Sequence, residues 1–581
     1  MRTLPSNMTQ PTSQSTSPHD TYTSPLAARN ASPEMCKIWS PRHKFTTWRK
    51  IWLAVAQAQQ ACGLDITDQQ INEMKAALDV TDEDMDNAAK YERELRHDVM
   101  AHVHAFGDRC PSAKGIIHLG CTSQDVVCNA DLINIQAARE LIRKKVLRVI
   151  FSLTTQAIEH KKLPTLGFTH YQPAQPVTVG RRITGWVYDL ELIQGKLYSG
   201  DGPLLTRLRG FKGATGTQAS FLQLFNNDSK MVDAFEEKAW ENISYQLAEP
   251  IRKRFENKSK EPETLREQLE GFFGEEWYLV LEDEPSEEEL NGPPKKHKSL
   301  GEVMEELDPE GWKEFVQSDQ LNTVLYRYHS TVGQTYPRVE DTFTLAELAS
   351  AASVLHKIAT DIRLLSNRKE IDEPFGKNQI GSSAMPYKRN PMKCERICGL
   401  TRFVMNLVGN AYDTAATQWL ERTLDDSSNR RLSLPEAFLA LDGALDLMHT
   451  VASGLVVNEA MVRKNLMLEL PFMATENILM EAVKAGGDRQ DLHEKIRVHS
   501  QEAGHRVKQE GLDNDLIDRL KADPDFAPIH HMLTEDQILN PMNFIGRSVE
   551  QTERFISEVV EPLKERYKDE LESLGSADRG V

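Results

Sequence analysis

Apolar residues recur at steps of three and four over long stretches of this chain. One stripe comprises Leu132, Ile135, Ala138, Ile142, Val146, Val149, Leu153 and Ala157. A second comprises Leu348, Ala352, Leu355, Ile358, Ile362 and Leu365. Because an α-helix has about 3.6 residues per turn, this spacing places each stripe on one helix face. The stripes predict long helices packed along their length in a bundle. Strand-like alternation is scarce, so the predicted fold class is all-α.

One region interrupts this pattern. Between residues 238 and 320 the chain carries 22 acidic and 11 basic residues, a net charge of −11 out of −18 for the whole chain. The run EDEPSEEELNGPPKKHK joins a charge block to a Pro and Gly break, which indicates a surface excursion. The runs WYLVL and GWKEFV indicate that part of the region folds onto the body. We interpret it as an acidic insertion.

Composition narrows the function. The net charge of −18 argues against nucleic acid and anionic membranes as partners, but a few local cations are enough to bind a small anion. No apolar run approaches about eighteen residues, so a membrane span is not expected. The N-terminal segment 1–24 is rich in Ser, Thr and Pro and predicts a disordered tail. Seven cysteines without a CxxC pair favour reduced thiols and a cytoplasmic location.

The loop GSSAMPYKRNP, residues 381–391, is the strongest candidate for chemistry. Pro391 suits the first position of the apolar helix that follows, with Asn390 as its N-cap. Free N–H groups at such a helix end favour an anion, and Lys388 and Arg389 add positive charge there. Two serine hydroxyls precede them. We interpret the loop as an anion-binding loop that carries a base or nucleophile; the alternative is a solvated basic turn.

A histidine stands in the segment GFTHYQPAQP, residues 167–176. His170 is flanked by Thr169 and Gln172. Gly167 and Pro173 bracket these residues, which predicts a loop that enters the next helix. Histidine is the side chain most easily used for proton transfer near neutral pH. Most histidines in such loops cap or pack, so this segment is weak evidence by itself.

Ionisable side chains also cluster in ELRHDVMAHVHAFG, residues 94–107. The spacing of its histidines matches no common zinc pattern, which disfavours a metal site. We favour a helix that presents Arg96 and His97, beside Asp98, to an anion.

Two further segments suit anionic groups. LGCTSQD, residues 119–125, offers small hydroxyl side chains for a carboxylate or phosphate. LERTLDDSSNRR, residues 420–431, offers Arg422, Arg430 and Arg431, whose planar guanidinium groups match such anions. Its alternative interpretation is a salt-bridged helix surface.

Nine segments, in chain order, resemble the adenylosuccinate lyase family of the fumarase/aspartase superfamily. They are SPLAARNASPEM, LRHDVMAHVH, GIIHLGCTSQD, LPTLGFTHYQPAQ, GTQASFLQLF, GSSAMPYKRNP, RTLDDSSNRR, LPFMATENI and GGDRQDLHEKIR. The form SSAMPYKRNP is similar to this family in particular. The likeness extends from about Tyr22 to about Lys568 and omits the acidic insertion.

The resemblance implies a three-domain, nearly all-helical subunit, whose middle domain contributes to a twenty-helix core in a homotetramer. The corresponding division is a tail (1–24), an N-terminal helical domain (25–121), a central bundle (122–457, with the insertion at about 238–320) and a C-terminal helical domain (458–581). It also implies active sites shared between subunits.

The resemblance further implies elimination of fumarate from adenylosuccinate and from succinylaminoimidazole carboxamide ribotide, without cofactor or metal. Ser382 corresponds to the base and His170 to the acid, although spacing alone leaves Ser383 open. Phosphate or ribose would contact Arg29, Arg422, Ser427 and Arg431, and the succinyl carboxylates Thr122, Ser123, Lys388 and Asn390. The other implied substrate-binding positions are Asn30, Arg96, His97, Asp98, Gln334 and Arg396.

The chain departs from the family pattern at two places. Asn30 stands where many members have a tyrosine, which puts a ring-stacking contact in doubt. The insertion lies near Gln334, either as a plain surface excursion or as a device that regulates access or binds a partner. Two rival functions remain, another lyase of the superfamily and a non-enzymatic descendant. The wording of the serine loop opposes the first rival, and the presence of His170 and Ser382 opposes the second.

Overall fold

The structure is a computed structural model that describes residues 20–198, 207–258, 278–279, 298–299 and 328–567. Its secondary structure is mainly α-helical, which confirms the predicted fold class. Within these residues, no helix is both long enough and apolar enough to cross a membrane. Most of the predicted insertion and the segment 1–19 of the predicted tail lie outside the described part of the chain.

Five helices follow a short π-helical turn at Leu26–Asn30. They are α1 (Pro33–Ile38), α2 (Pro41–Ala61), α3 (Asp68–Ala76), α4 (Asp82–Leu95) and α5 (Asp98–Arg109). Capping boxes start α3 and α4, where Thr67 and Thr81 exchange hydrogen bonds with the third helical residue. Trp48 and Trp52 of α2 are fully buried and anchor the helix in the core.

Long helices form the middle of the chain. They are α6 (Ser123–Glu159), α7 (Val179–Tyr198), α8 (Ala219–Leu224), α9 (Ser229–Lys258), α10 (Val339–Asn367), α11 (Met392–Ala416) and α12 (Asp425–Ser453). Both predicted apolar stripes are confirmed, since they lie on α6 and α10 with every member buried. Most of these side chains share one core with residues of α7, α11 and α12. The start of the acidic region, 238–258, belongs to α9.

The named strands of the described residues are short and form two-stranded sheets. β1 (Pro164–Thr169) and β2 (Gln172–Thr178) form an antiparallel hairpin. The remaining antiparallel pairs in the described residues are β3 (Tyr278–Leu279) with β4 (Lys298–Ser299), and β5 (Ile371–Asp372) with β6 (Val456–Val457). The hairpin places its turn, rather than a helix end, at the candidate histidine.

The C-terminal part is again helical. Its α-helices are α13 (Glu459–Met473), α14 (Thr475–Lys484), α15 (Arg489–Glu510), α16 (Leu516–Ala522), α17 (Ser548–Phe555) and α18 (Glu561–Arg566). Two 3₁₀ segments (Pro524–Met532 and Pro541–Asn543) and a π-helical turn (Ile556–Val560) lie among them. Buried apolar residues between Leu466 and Leu539 form a separate core, to which Leu166 of β1 also belongs. The domain boundaries at 121/122 and 457/458 stay predictions.

Candidate active site

The serine loop connects β5 to α11 and is closed at its base by a hydrogen bond between its two ends. The side-chain amide of Asn390 donates to the carbonyl of Gly381 (2.8 Å). A side chain at Gly381 would overlap the carbonyl of Lys388, so this closure requires glycine. The backbone N–H of Met385 donates to the hydroxyl of Ser382 (3.2 Å), which is partly buried, whereas Ser383 and Lys388 are exposed. The loop therefore presents its cation to the surface and holds the first serine in a turn.

The predicted helix start is wrong by one residue. α11 begins at Met392, and the preceding Pro391 makes no side-chain cap. Instead, the buried carboxylate of Glu373 accepts hydrogen bonds from the N–H groups of Lys393 (3.0 Å) and Cys394 (2.9 Å). The side chain of Asn390, the predicted N-cap, instead donates its hydrogen bond to the carbonyl of Gly381. Because a carboxylate of the chain satisfies these amides, the expected anion site at free N–H groups is also wrong.

His170 lies at the tip of the β1–β2 hairpin. His170 and Tyr171 both have a positive φ and form the two-residue turn between Thr169 and Gln172. The expectation of a loop that enters a helix is therefore wrong, because a strand follows. The ring of His170 is exposed. No hydrogen bond joins this ring to the serine loop within the described chain.

Two arginines meet at the N-terminal segment. Arg396 of α11 donates from Nε to the Asn30 side-chain oxygen and from Nη2 to the Arg29 carbonyl, both at 2.8 Å. Burial and the neighbouring positive charge of Arg29 lower the pKa of Arg396. Asn30 therefore orients the guanidinium of Arg396. Since no carboxylate of the described residues pairs with Arg396, the two adjacent cations favour a bound anion.

Arg96, His97 and Asp98 lie at the junction of α4 and α5. Arg96 ends α4 in the left-handed conformation (φ 53°), and Nδ1 of His97 accepts from the N–H of Met100 (3.3 Å). The carboxylate of Asp98 accepts from Nη2 of Arg431 (3.0 Å). Burial disfavours the Asp98 carboxylate, but hydrogen bonding and nearby cations outweigh it and lower its pKa. Asp98 thus holds Arg431. Within the described residues, no group of three or more His, Cys, Asp or Glu side chains is placed to hold a metal ion.

A cavity of about 250 Å³ lies between α2, α6 and α12. Its polar lining includes Lys44, Asp131, Arg422, Ser427 and Arg431. Three of these residues were predicted from the sequence, whereas Lys44 was missed, since one lysine in the run PRHK carries no distinctive signal. Burial lowers the pKa of the Lys44 ammonium, and Asp131 opposes this. Arg338 and Arg430 also line the cavity and form buried ion pairs with Asp426 and Asp341, so the convergence of Lys44, Arg422 and Arg431 makes it suitable for an anionic group.

Gln334 joins this group through Arg422. Its side-chain oxygen accepts from Nη1 of Arg422 (2.9 Å), and its N–H donates to the carbonyl of Glu421 (3.1 Å). Thr122 and Ser123 stand at the start of α6, where both are partly exposed. The structure therefore brings the predicted residues into separate groups rather than into one complete site.

Comparison with known proteins decides among the remaining alternatives. A protein-family model described as "Lyase" matches residues 27–206 and 314–406. A second family model, described as "Adenylosuccinate lyase C-terminus", matches residues 471–555. The adenylosuccinate lyases of Saccharomyces cerevisiae and Schizosaccharomyces pombe are 41% and 42% identical to this chain, over 95% of it and 98% of each relative. The chain belongs to the adenylosuccinate lyase family. The resemblance found in its sequence is thereby confirmed, and so is the enzyme class, a carbon–nitrogen lyase.

Solved structures support the fold of this adenylosuccinate lyase family member. A 3-carboxy-cis,cis-muconate lactonizing enzyme from Pseudomonas putida has a TM-score of 0.67 at 22% identity and covers 94% of this chain and 99% of its own. A fumarate lyase from Mesorhizobium sp. BNC1 has a TM-score of 0.65 at 19% identity, covering 91% and 98%. The match to the general lyase model is interrupted at 207–313, which includes most of the acidic region.

Proposed function

We propose that this chain eliminates fumarate from adenylosuccinate, giving AMP, and from succinylaminoimidazole carboxamide ribotide, giving aminoimidazole carboxamide ribotide. The observation that carries the proposal is family membership over nearly the whole chain, at 40–42% identity to three adenylosuccinate lyases. The serine, the histidine and the cations required by the reaction are all present.

The chemistry assigns distinct roles to the two catalytic candidates. A base removes the weakly acidic Cβ proton beside a succinyl carboxylate, and an acid protonates the departing nitrogen. We assign Ser382 as the base and His170 as the acid. A serine hydroxyl needs nearby positive charge to act as a base. Because Glu373 occupies the first amides of α11, this charge falls to side chains such as Lys388 rather than to the helix end.

Substrate binding divides between two kinds of anion. We assign the nucleotide phosphate or ribose to Arg29 and to the cavity residues Arg422, Ser427 and Arg431, where Lys44 adds a further cation. We assign the succinyl carboxylates to Thr122, Ser123, Lys388 and Asn390. Each well-placed donor contributes on the order of 3 kcal/mol to the transition state.

The active site of this proposal is shared between subunits of a homotetramer. His170 lies exposed at a hairpin tip, as expected if it completes the site of another subunit. The long central helices also carry large apolar side chains that are about half exposed, at Tyr188, Leu192, Phe343 and Tyr412. Such faces suit helix packing between subunits.

The test is absorbance-monitored turnover of adenylosuccinate by the purified protein. Ser382→Ala should nearly abolish turnover, while Ser383→Ala, its matched neighbour, should retain most of it. His170→Gln should also be nearly inactive, and mixing it with Ser382→Ala subunits should restore part of the activity if sites are shared. Full activity of Ser382→Ala would remove this residue as the base. A folded wild-type protein without turnover would refute the proposed function and favour another succinyl substrate or a non-enzymatic role.

A further inference from the structure

A buried ion pair lies beneath the start of α6. Asp125 is fully buried and forms an ion pair with Arg209, whose side chain is also fully buried. The carboxylate also accepts from the N–H groups of Thr122 (2.7 Å), Lys212 (3.0 Å) and Gly213 (3.1 Å). One carboxylate therefore connects the start of α6 to the segment 209–213. The hydrogen bond to Thr122 reaches a predicted substrate-binding residue directly.

Arg209 extends this connection to a third segment. Its Nη2 donates to the carbonyls of Gly213 (2.7 Å) and Gly333 (3.1 Å). Gly333 precedes Gln334, which in turn accepts a hydrogen bond from Arg422. The ion pair thus contacts the backbone on both sides of the acidic region and lies one residue from another substrate-binding candidate.

The loop 213–220, whose last two residues begin α8, lies between these segments and exposes hydroxyl groups. The hydroxyl of Ser220 donates to the carbonyl of Gly120 (2.7 Å), beside the start of α6. On the other side, a side chain at Gly216 (φ 84°) would overlap the carbonyl of Val332. Thr215 and Thr217 flank Gly216, and both are exposed. Because the loop contacts Gly120 on one side and Val332 on the other, its conformation is preorganised for binding although it is exposed.

We propose that the Asp125–Arg209 pair is a positioning element for substrate binding, holding Thr122, the loop 213–220 and Gln334 in one arrangement. This inference rests on the proposed function for its kinetic consequences. A buried ion pair is seldom more stabilising than well-packed apolar residues, because both charges lose their hydration. Its fixed hydrogen-bond directions instead specify geometry, and binding groups that are already held in place lose less conformational freedom when the substrate binds.

The test compares three variants. Asp125→Asn removes the charge while keeping the side-chain shape, and Arg209→Lys keeps the charge while losing the bonds to Gly213 and Gly333. The matched control is Asp84→Asn. Asp84 is also a buried capping-box residue that accepts from a threonine N–H (Thr81, 2.8 Å) and pairs with an arginine (Arg49, 3.1 Å). It contacts no substrate-binding candidate among the described residues.

Two readouts separate positioning from general stability. Both Asp125→Asn and Arg209→Lys should raise KM for adenylosuccinate about tenfold or more, with a smaller change in kcat, while Asp84→Asn keeps the wild-type KM. Amide hydrogen exchange should accelerate in the segments 210–218 and 331–335 of the first two variants only. If Asp125→Asn fails to fold, Arg209→Lys decides the question.

Wild-type KM and wild-type exchange in both segments of Arg209→Lys would overturn the inference. An equal rise of KM in Asp84→Asn would also overturn it, because the effect would then be one of general stability. If the wild-type protein does not turn over adenylosuccinate, the proposed function fails, and hydrogen exchange still decides whether the pair holds these segments together.

Discussion

Gly443 provides a direct test of how the N-terminal segment is held. It lies within α12, where it is buried, and a Cβ atom there would come within 2.6 Å of the Asn30 carbonyl oxygen and 2.8 Å of its carbon. The neighbouring Asp442 fixes the same segment, since its carboxylate accepts from the N–H (2.5 Å) and the hydroxyl (3.1 Å) of Ser32. The added methyl group of Gly443→Ala therefore overlaps the Asn30 backbone, which the hydrogen bonds between Asp442 and Ser32 hold in place.

The expected magnitude follows from two opposing effects. Alanine is favoured over glycine within a helix by about 1 kcal/mol. Overpacking of a well-packed site costs about 1–3 kcal/mol, so we expect a net loss of up to about 2 kcal/mol in unfolding free energy. Ordinary contact begins at 3.4 Å, so Asn30 must move by about 0.8 Å. Its side chain and the Arg29 carbonyl orient Arg396, and a displacement near 1 Å costs about 10- to 100-fold in kcat/KM.

The assay is chemical unfolding together with steady-state kinetics on adenylosuccinate. Gly504→Ala is the matched control, since Gly504 lies inside α15 and a Cβ atom there would have no neighbour within 4 Å. This control should gain about 1 kcal/mol and keep wild-type kinetics. If Gly443→Ala is stabilised as much as the control and keeps its kcat/KM, the close packing of Asn30 on α12 does not constrain the site, and the reasoning is refuted.

Two further predictions concern stability. Glu373→Gln should lower the unfolding free energy by about 2 kcal/mol, because an amide supplies only one acceptor for the two N–H groups at the start of α11. The exposed Glu395→Gln should change it little, and equal losses in urea unfolding would contradict this. Burial, with Arg49 as the next cause, lowers the pKa of His102 from 6.5 to about 4. The unfolded chain therefore binds one more proton between these pH values, so stability falls as the pH drops from about 6.5 to about 4. His102→Phe, which keeps the stack on Phe45, should reduce this dependence of the melting temperature on pH; an unchanged slope would contradict the assignment.

The helical architecture was predictable because the spacing of apolar residues within each segment indicates a helix without knowledge of distant contacts. The stripes on α6 and α10 recur with helical spacing, and burial of one face per helix follows from the hydrophobic effect alone. The hairpin that carries His170 was missed for a physical reason. Two prolines in QPAQP disfavour a strand on propensity, yet β2 pairs with β1, with Pro173 opposite Phe168 and Pro176 within the irregular part of the register.

Motifs in the sequence indicate candidate site residues, but they do not indicate which residues these contact in the fold. Asp98 was grouped with substrate-binding residues, and the structure shows its carboxylate bound to Arg431, which lies 333 positions away. Glu373 was not identified at all, although it determines the electrostatics at the start of α11. When a carboxylate from another segment caps a helix, as Glu373 does here, no regular spacing in the sequence indicates the contact. Tertiary hydrogen bonds of this kind decide which donors remain for a substrate.

The adjacent residues Arg430 and Arg431 show why charge in a motif does not by itself identify a binding group. Arg430 is buried and bound by Asp341 (2.6 Å), Asp131 (3.1 Å) and the hydroxyl of Tyr336. Its guanidinium is satisfied by the protein and can offer little to a ligand. Arg431 lines the same cavity as Arg430, but its side chain is 55% exposed and Asp98 is its only ion-pair partner among the described residues. Since successive helical residues diverge by about 100°, one arginine stabilises the fold while the other stays available for an anion.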